Sequence, residues 1–208
     1  MNDAEVTMTI VGRSSSHFTR TARIFALELG VPHAFRPVLD ITATEAAIYA
    51  GNPALKVPVL VDEQGSLYGT ENICRALASR SPPGARVVLR GQVEGRLLAN
   101  AEEMVLHAMN ADVNIVTAQL AGQETPPKVR LGLQNALGFL ESHLEAVLAT
   151  LPAGRVLSFW ETTLFCLVTH LPFRKVLEVD GYPRLQAFCA AFAARPGAAA
   201  TPYHFDSA

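Results

Sequence analysis

Strand-like alternation in this chain is confined to the part before SRSPPGAR (79–86), and beyond that stretch apolar residues recur only at helical spacing. Ahead of it, Val6, Met8 and Ile10 alternate with Thr7, Thr9 and Val11 and predict an opening strand. From His17 onward Phe18, Ala22, Phe25 and Leu29 recur at helical spacing, with Gly30 supplying a left-handed stop. The segment 32–38 predicts a second strand, and TATEAAIYAGNP predicts a helix from Thr42 that ends before Gly51. Two β-rich runs, 57–61 and 66–68, flank Asp62-Glu63-Gln64-Gly65 as a hairpin, and 71–78 returns to helix. The order β-α-β-α-β-β-α is that of a small mixed sheet with helices on its faces.

The proline, glycine and serine content of 79–86 has the composition of a linker, so the chain divides into a first domain at 1–80, a linker at 81–90 and an all-helical second domain at 91–208. One helix is expected over about 93–112. A longer one carries Leu133, Leu137, Leu140, Leu144 and Val147, opened by Pro126 and Pro127 and closed before Pro152. Ser158 lies three residues before Glu161 at the head of an apolar run, a capping box in which each side chain satisfies an orphan helix N–H. A last helix is expected over 183–194, with Leu185, Phe188, Cys189 and Phe192 on one face. No strand is expected after the linker.

Charge narrows the range of partners. Lysine plus arginine number 17 against 19 aspartate plus glutamate, which gives no pull toward nucleic acid or an anionic membrane. Cys74, Cys166 and Cys189 lie far apart without a CxxC pair, arguing against a disulfide framework or a zinc site and for free thiols in a reducing cytoplasm. The opening MNDAEVTMTIVG has acids where a secretion signal carries basic residues, and apolar runs such as 162–171 fall short of the roughly 20 residues of a membrane span. A soluble protein is expected.

Three segments carry candidate chemistry. In NPALKVPVL (52–60), Pro58 stands at the start of a strand between Val57 and Val59. A cis Val57-Pro58 bond would turn the Val57 backbone outward to pair with an extended peptide; a plain edge-strand proline is the alternative. Thr70-Glu71-Asn72 opens a helix after a strand, where N–H groups suit a carboxylate and Glu71 suits an ammonium, unless Thr70 only caps and Glu71 only complements the helix dipole. Ser14, Ser15 and Ser16 precede the first helix, with Ser16 at the expected N-cap. A cap hydroxyl there either donates to a bound thiolate or serves the helix alone. Lowering a thiol by two units from about 8.5 takes roughly 2.7 kcal/mol, within reach of one charge-assisted hydrogen bond plus the dipole.

In this order and spacing the segments resemble the glutathione S-transferase superfamily, over nearly the whole chain. SHFTRTARI (16–24) is similar to the stretch in which a catalytic serine or cysteine opens the first helix, so Ser16 matches the catalytic position, with Ser14 and Ser15 as alternatives. NPALKVPVL resembles NPxGKVPxL, which makes Pro58 the cis-proline, Val57 the backbone partner of the cysteinyl unit and Lys56 a contact for the glycyl carboxylate. TENICRAL resembles the TES segment that holds the γ-glutamyl group, placing Glu71 and Asn72 there, with Asn72 in place of the usual serine. SFWETTLFC (158–166) resembles the second-domain capping box, with Glu161 in place of aspartate.

The resemblance implies a thioredoxin-like glutathione-binding domain followed by a helical one, of a serine-type, bacterial-like cytosolic class. It implies a detoxifying transferase that uses glutathione as co-substrate and an electrophilic small molecule as acceptor, and a homodimer. Isomerisation, dehalogenation and a non-catalytic scaffold are the alternatives. Phe18, Met104, His107, Met109 and Trp160 are candidates for an acceptor pocket, or else core. Glu103 and His107 lie four apart but lack a third ligand, so no metal is expected.

Overall fold

The computed structural model describes residues 8–207. Four short strands form one mixed sheet in the order β2-β1-β3-β4, made by β1 (Thr9–Gly12), β2 (Ala34–Pro37), β3 (Val59–Asp62) and β4 (Gly65–Tyr68). β1 pairs parallel with β2 across the helix α1 (His17–Glu28), and antiparallel with β3, which pairs antiparallel with β4. This is the arrangement expected for a thioredoxin-like unit. Of the expected strand residues, Val6 and Thr7 lie outside the described residues.

Register decides what each sheet face buries. Ile10 opposes Leu60 and faces the main core with Phe25 of α1 and Ile73 and Leu77 of α2 (Thr70–Ser79). Val11 opposes Val59 and faces a smaller cluster with Val38 and Tyr49. The side-chain period of two puts neighbouring residues on opposite faces, which explains why both are apolar.

The helix expected from Thr42 is reduced to a single 3-10 turn, Ala46–Tyr49. Side chains divert the backbone groups a helix would have used: Asp40 accepts from the N–H and hydroxyl of Thr42 at 2.8 and 2.7 Å, and Glu45 accepts from the Thr44 N–H at 3.2 Å. The buried Tyr49 then closes the loop by donating its hydroxyl to Ile41 and Ala43 carbonyls.

Beyond Ser79 the chain is helical apart from one small pair of strands. β5 (Val87–Val88) falls inside the expected linker and pairs parallel with β6 (Leu157–Ser158), so a strand does follow the linker, two residues long. Such a bridge is too short to show a period in sequence. α3 (Arg96–Leu120) and α4 (Pro127–Thr150) follow, then α5 (Phe159–Phe173), α6 (Pro183–Ala193) and α7 (Pro196–Ala199), the last in the alanine-rich tail. α3 runs on past Asp112, which is fully buried inside the helix rather than at its end. α5 is buried almost all round and joins the sheet-facing and helical parts in one continuous core.

Ser158 caps α5 as expected, accepting from the Glu161 N–H at 3.1 Å. The return half of the box differs. Glu161 accepts instead from the Ser158 hydroxyl at 2.6 Å and from a two-pronged Arg155 guanidinium at 2.7 Å on each prong.

Candidate functional site

Three loops meet at one end of the sheet, because Val11, Val59 and Tyr68 are register partners in adjacent strands. The serine loop follows Val11 and Gly12, Pro58 precedes Val59, and Gly69 and α2 follow Tyr68.

The serine loop is shaped by a close approach. A Cβ on Gly12 would stand 2.4 Å from Thr19 Cγ2, so only glycine fits beside that buried threonine. The Thr19 hydroxyl accepts from the Arg13 N–H, and the Ser16 N–H closes a turn onto the Arg13 carbonyl at 3.1 Å. Ser16 is extended at the N-cap of α1, and its hydroxyl oxygen accepts from the Thr19 N–H at 3.3 Å. The cap leaves its proton free to donate. Among the described residues, the N–H groups of His17 and Phe18 in the first turn have no partner.

The other two serines are turned inward. Ser14 is buried, accepts from Arg23 at 3.3 Å and donates its N–H to Asp206 of the C-terminal tail at 2.8 Å. Ser15 is buried, and its hydroxyl accepts from Arg13 at 3.4 Å. Ser16 alone of the three is half-buried.

The Val57-Pro58 bond is cis, as expected. Asn52, itself buried, fixes the approach to it by donating to the Lys56 carbonyl at 2.8 Å and accepting from the Ala54 N–H at 3.0 Å. Among the described residues the N–H and C=O of Val57 have no hydrogen-bond partner, and the exposed Lys56 has no ion pair. At α2 the N-cap is Gly69, at φ +90°, with no side-chain cap, so Thr70 does not cap and the first-turn N–H groups stay open. Glu71 is held by Arg75 at 2.8 Å and Arg90 at 3.7 Å, and the Asn72 amide donates back to the Tyr68 carbonyl at 3.0 Å.

The acceptor-pocket candidates do not stay together. Met109 and Trp160 are buried in the core and line no open surface. Phe18 and Met104 are half-buried beside that core, and His107 is exposed at 3.6 Å from Glu103, which also pairs with Arg90.

A buried polar cluster lies behind the serine loop that the sequence reading did not anticipate. Nδ1 of His17 and Nδ1 of His170 both face Oδ2 of Asp112, at 3.1 and 2.5 Å, and Nε2 of His170 is 3.0 Å from the Ser15 carbonyl oxygen. Burial favours neutral His17 and pulls it down to about 4, against the hydrogen bond to Asp112. Burial also pushes the Asp112 carboxyl up, but the hydrogen bonds from both histidines outweigh it and hold it at about 2. The residue types and spacing of a metal triad are present among these three. The sole sequence signal was a charged or titratable residue on an otherwise apolar helix face, at three positions far apart in the chain.

Residues 11–85 match the family model described as "Glutathione S-transferase, N-terminal domain". Among solved structures, a glutathione transferase family member from Pseudomonas fluorescens Pf-5 with bound glutathione is 22% identical, covers 95% of this chain and 99% of its own, and superposes with a TM-score of 0.76. A glutathione S-transferase from Methylobacillus flagellatus with glutathione bound is 21% identical, with coverages of 95% and 100% and a TM-score of 0.78. One from Methylobacterium radiotolerans, in complex with glutathione sulfonate, is 19% identical, with 97% of each chain covered and a TM-score of 0.71. No curated protein matches the sequence.

Proposed function

We propose that this chain, whose residues 11–85 match the glutathione S-transferase N-terminal domain model and whose fold throughout is like that of the glutathione transferases, is a glutathione-dependent transferase of the serine type. The observation that carries this reading is the meeting of three open backbone sites at one sheet end: the first turn of α1, the unpaired Val57 peptide groups and the uncapped start of α2.

Each suits one part of glutathione. The N–H groups of α2 and the Glu71 carboxylate take the carboxylate and ammonium of the γ-glutamyl unit, with Asn72 beside them. Val57 pairs with the cysteinyl backbone as an added strand, and Lys56 reaches the glycyl carboxylate. The cysteinyl sulfur then faces the start of α1, where the Ser16 hydroxyl donates to the thiolate and the helix dipole lowers its pKa. The thiolate attacks an electrophilic small molecule, forming the carbon–sulfur bond as the leaving group departs with its electron pair. Ser14 and Ser15 are less suited because both are buried, whereas Ser16 is half-buried at the open end of the sheet.

We place the domain division at 81–90 and propose a cytoplasmic homodimer with a detoxifying role. Exposed Val113, Leu120 and Leu131 on α3 and α4 support the dimer. Sedimentation showing only monomer at micromolar concentration would count against it.

Retention on immobilised glutathione, followed by turnover with a generic electrophile, tests the function. Conjugate as product supports transfer. Regenerated glutathione with an altered second product points to isomerisation or dehalogenation, and retention without turnover points to a scaffold.

A further inference from the structure

We infer that His170 is a positioning residue that, doubly protonated between the Asp112 carboxylate and the Ser15 carbonyl, holds the serine loop in place from the helical side of the molecule. The inference deepens the reading of Ser16 as the thiolate's donor and rests on it for its catalytic consequence.

A carboxylate and a peptide carbonyl accept hydrogen bonds and cannot donate them. His170 presents Nδ1 to Asp112 at 2.5 Å and Nε2 to Ser15 at 3.0 Å; with the Asp112 carboxyl held ionised by its two histidine partners, each contact is a hydrogen bond only if both ring nitrogens carry protons. The ring is then an imidazolium, and the ionised Asp112 beside it balances the charge. His17 also needs a proton on Nδ1 to reach the same carboxylate oxygen at 3.1 Å, while its Nε2 has no partner among the described residues. A neutral His17 leaves only a lone pair there, which costs less than an orphaned N–H. The buried unit of three residues is thereby neutral overall, the condition under which ionised groups are tolerated inside a protein.

The same count disfavours a metal ion. Coordination requires unprotonated Nδ1 atoms, which would break both hydrogen bonds, and a divalent cation with one carboxylate would leave a buried net charge. Among the described residues, the other charged or titratable groups facing the unit are Arg174, the residue just past the end of α5, and Tyr203 of the C-terminal tail, whose ring centroid lies 5.1 Å from that of His170.

The consequence falls on the loop. Ser14 is tied through its N–H to Asp206 and Ser15 through its carbonyl to His170, and these two ties turn both residues inward while Ser16 faces the open end of the sheet. A small misplacement of a reacting group is costly, of order 100-fold for about 1 Å, so the Ser15 tie acts on chemistry without touching substrate.

Two isosteric variants separate the two bonds. The amide nitrogen of asparagine stands where Nδ1 stood, and that of glutamine where Nε2 stood. His170→Asn keeps the bond to Asp112 and drops the one to Ser15; His170→Gln does the reverse. His170→Asn is expected to lower kcat about 10-fold or more with KM for glutathione changed less than about threefold, and His170→Gln to rescue most of it.

Two readouts need no glutathione. Nitrogen-15 spectra of the wild-type histidine rings at neutral pH should show one histidine protonated on both nitrogens and lost in either variant. Amide exchange over residues 14–17 should quicken in His170→Asn and not in His170→Gln. A wild-type protein that ignores glutathione would remove the function proposed above, and these two measurements would still judge His170. The inference is overturned by a single neutral tautomer at His170, by equal loss in both variants, or by wild-type binding of one equivalent of zinc that Asp112→Asn abolishes.

Discussion

Acidification from pH 7 to pH 4 should destabilise this protein through His17 in particular. The ring is 1% exposed and ionises at about 4 instead of 6.5, because burial disfavours the charged form more than the hydrogen bond to Asp112 favours it, with His170 and Arg174 adding repulsion. In the unfolded chain the same ring takes a proton near 6.5. Between these values the unfolded state binds more protons than the native one, so stability falls as pH drops through that window. A depression of about 2.5 units corresponds to roughly 3 kcal/mol, lost mostly between pH 6.5 and 4. The ionised Asp112 contributes in a separate, lower window, losing its stabilisation as pH falls from about 4 toward 2. Urea unfolding at half-unit steps of pH measures this directly. His17→Asn, whose amide keeps the bond to Asp112 without titrating, should flatten the curve between pH 6.5 and 4 by about 3 kcal/mol relative to wild type. Parallel curves for the two proteins, or a His17 ring titrating near 6.5 by NMR, would refute the reasoning.

Other perturbations have separate signatures. Gly12→Ala places a methyl against the buried Thr19 and should cost about 1–3 kcal/mol in denaturant unfolding, while loosening the Arg13 and Ser16 bonds that Thr19 makes. An unchanged midpoint would show that Thr19 moves aside freely. Glu71→Gln removes the charge offered to the γ-glutamyl ammonium and should weaken glutathione binding about 10-fold by calorimetry, with little change in stability because the Arg75 and Arg90 pairs are partly exposed. Unaltered affinity would remove Glu71 from the site.

The sheet portion was legible where one face is buried and the other carries its own small cluster, since Ile10 and Val11 had to be apolar for different reasons. The helices announced by proline, such as α4 and α6, and by a serine cap, such as α1 and α5, began within a residue of expectation. Local competition misled the reading at 42–50, where Asp40 and Glu45 side chains take N–H groups that helical propensity assumes are free. Tertiary pairing misled it at Asp112, which reads as a helix end but is held inside α3 by two histidines from other helices. The site segments were legible because each sits at an element's end and is built by local backbone chemistry. The cluster of His17, Asp112 and His170 was not, because its members come together only when α1, α3 and α5 pack. Met109 and Trp160 were apolar for the core rather than for a ligand, a distinction that spacing on a helix does not draw.

In the function proposed above, the Ser16 hydroxyl both caps α1 and holds a glutathione thiolate. Ser16→Ala loses both functions, whereas Ser16→Gly loses the hydroxyl at a capping cost of only a few tenths of a kcal/mol. Ultraviolet titration of the thiolate of bound glutathione therefore separates chemistry from stability. Both variants should raise the bound thiol's pKa by about one unit or more and lower turnover by about 10- to 1000-fold, with affinity for glutathione nearly unchanged. A bound thiol whose pKa stays at the wild-type value in both variants would contradict it.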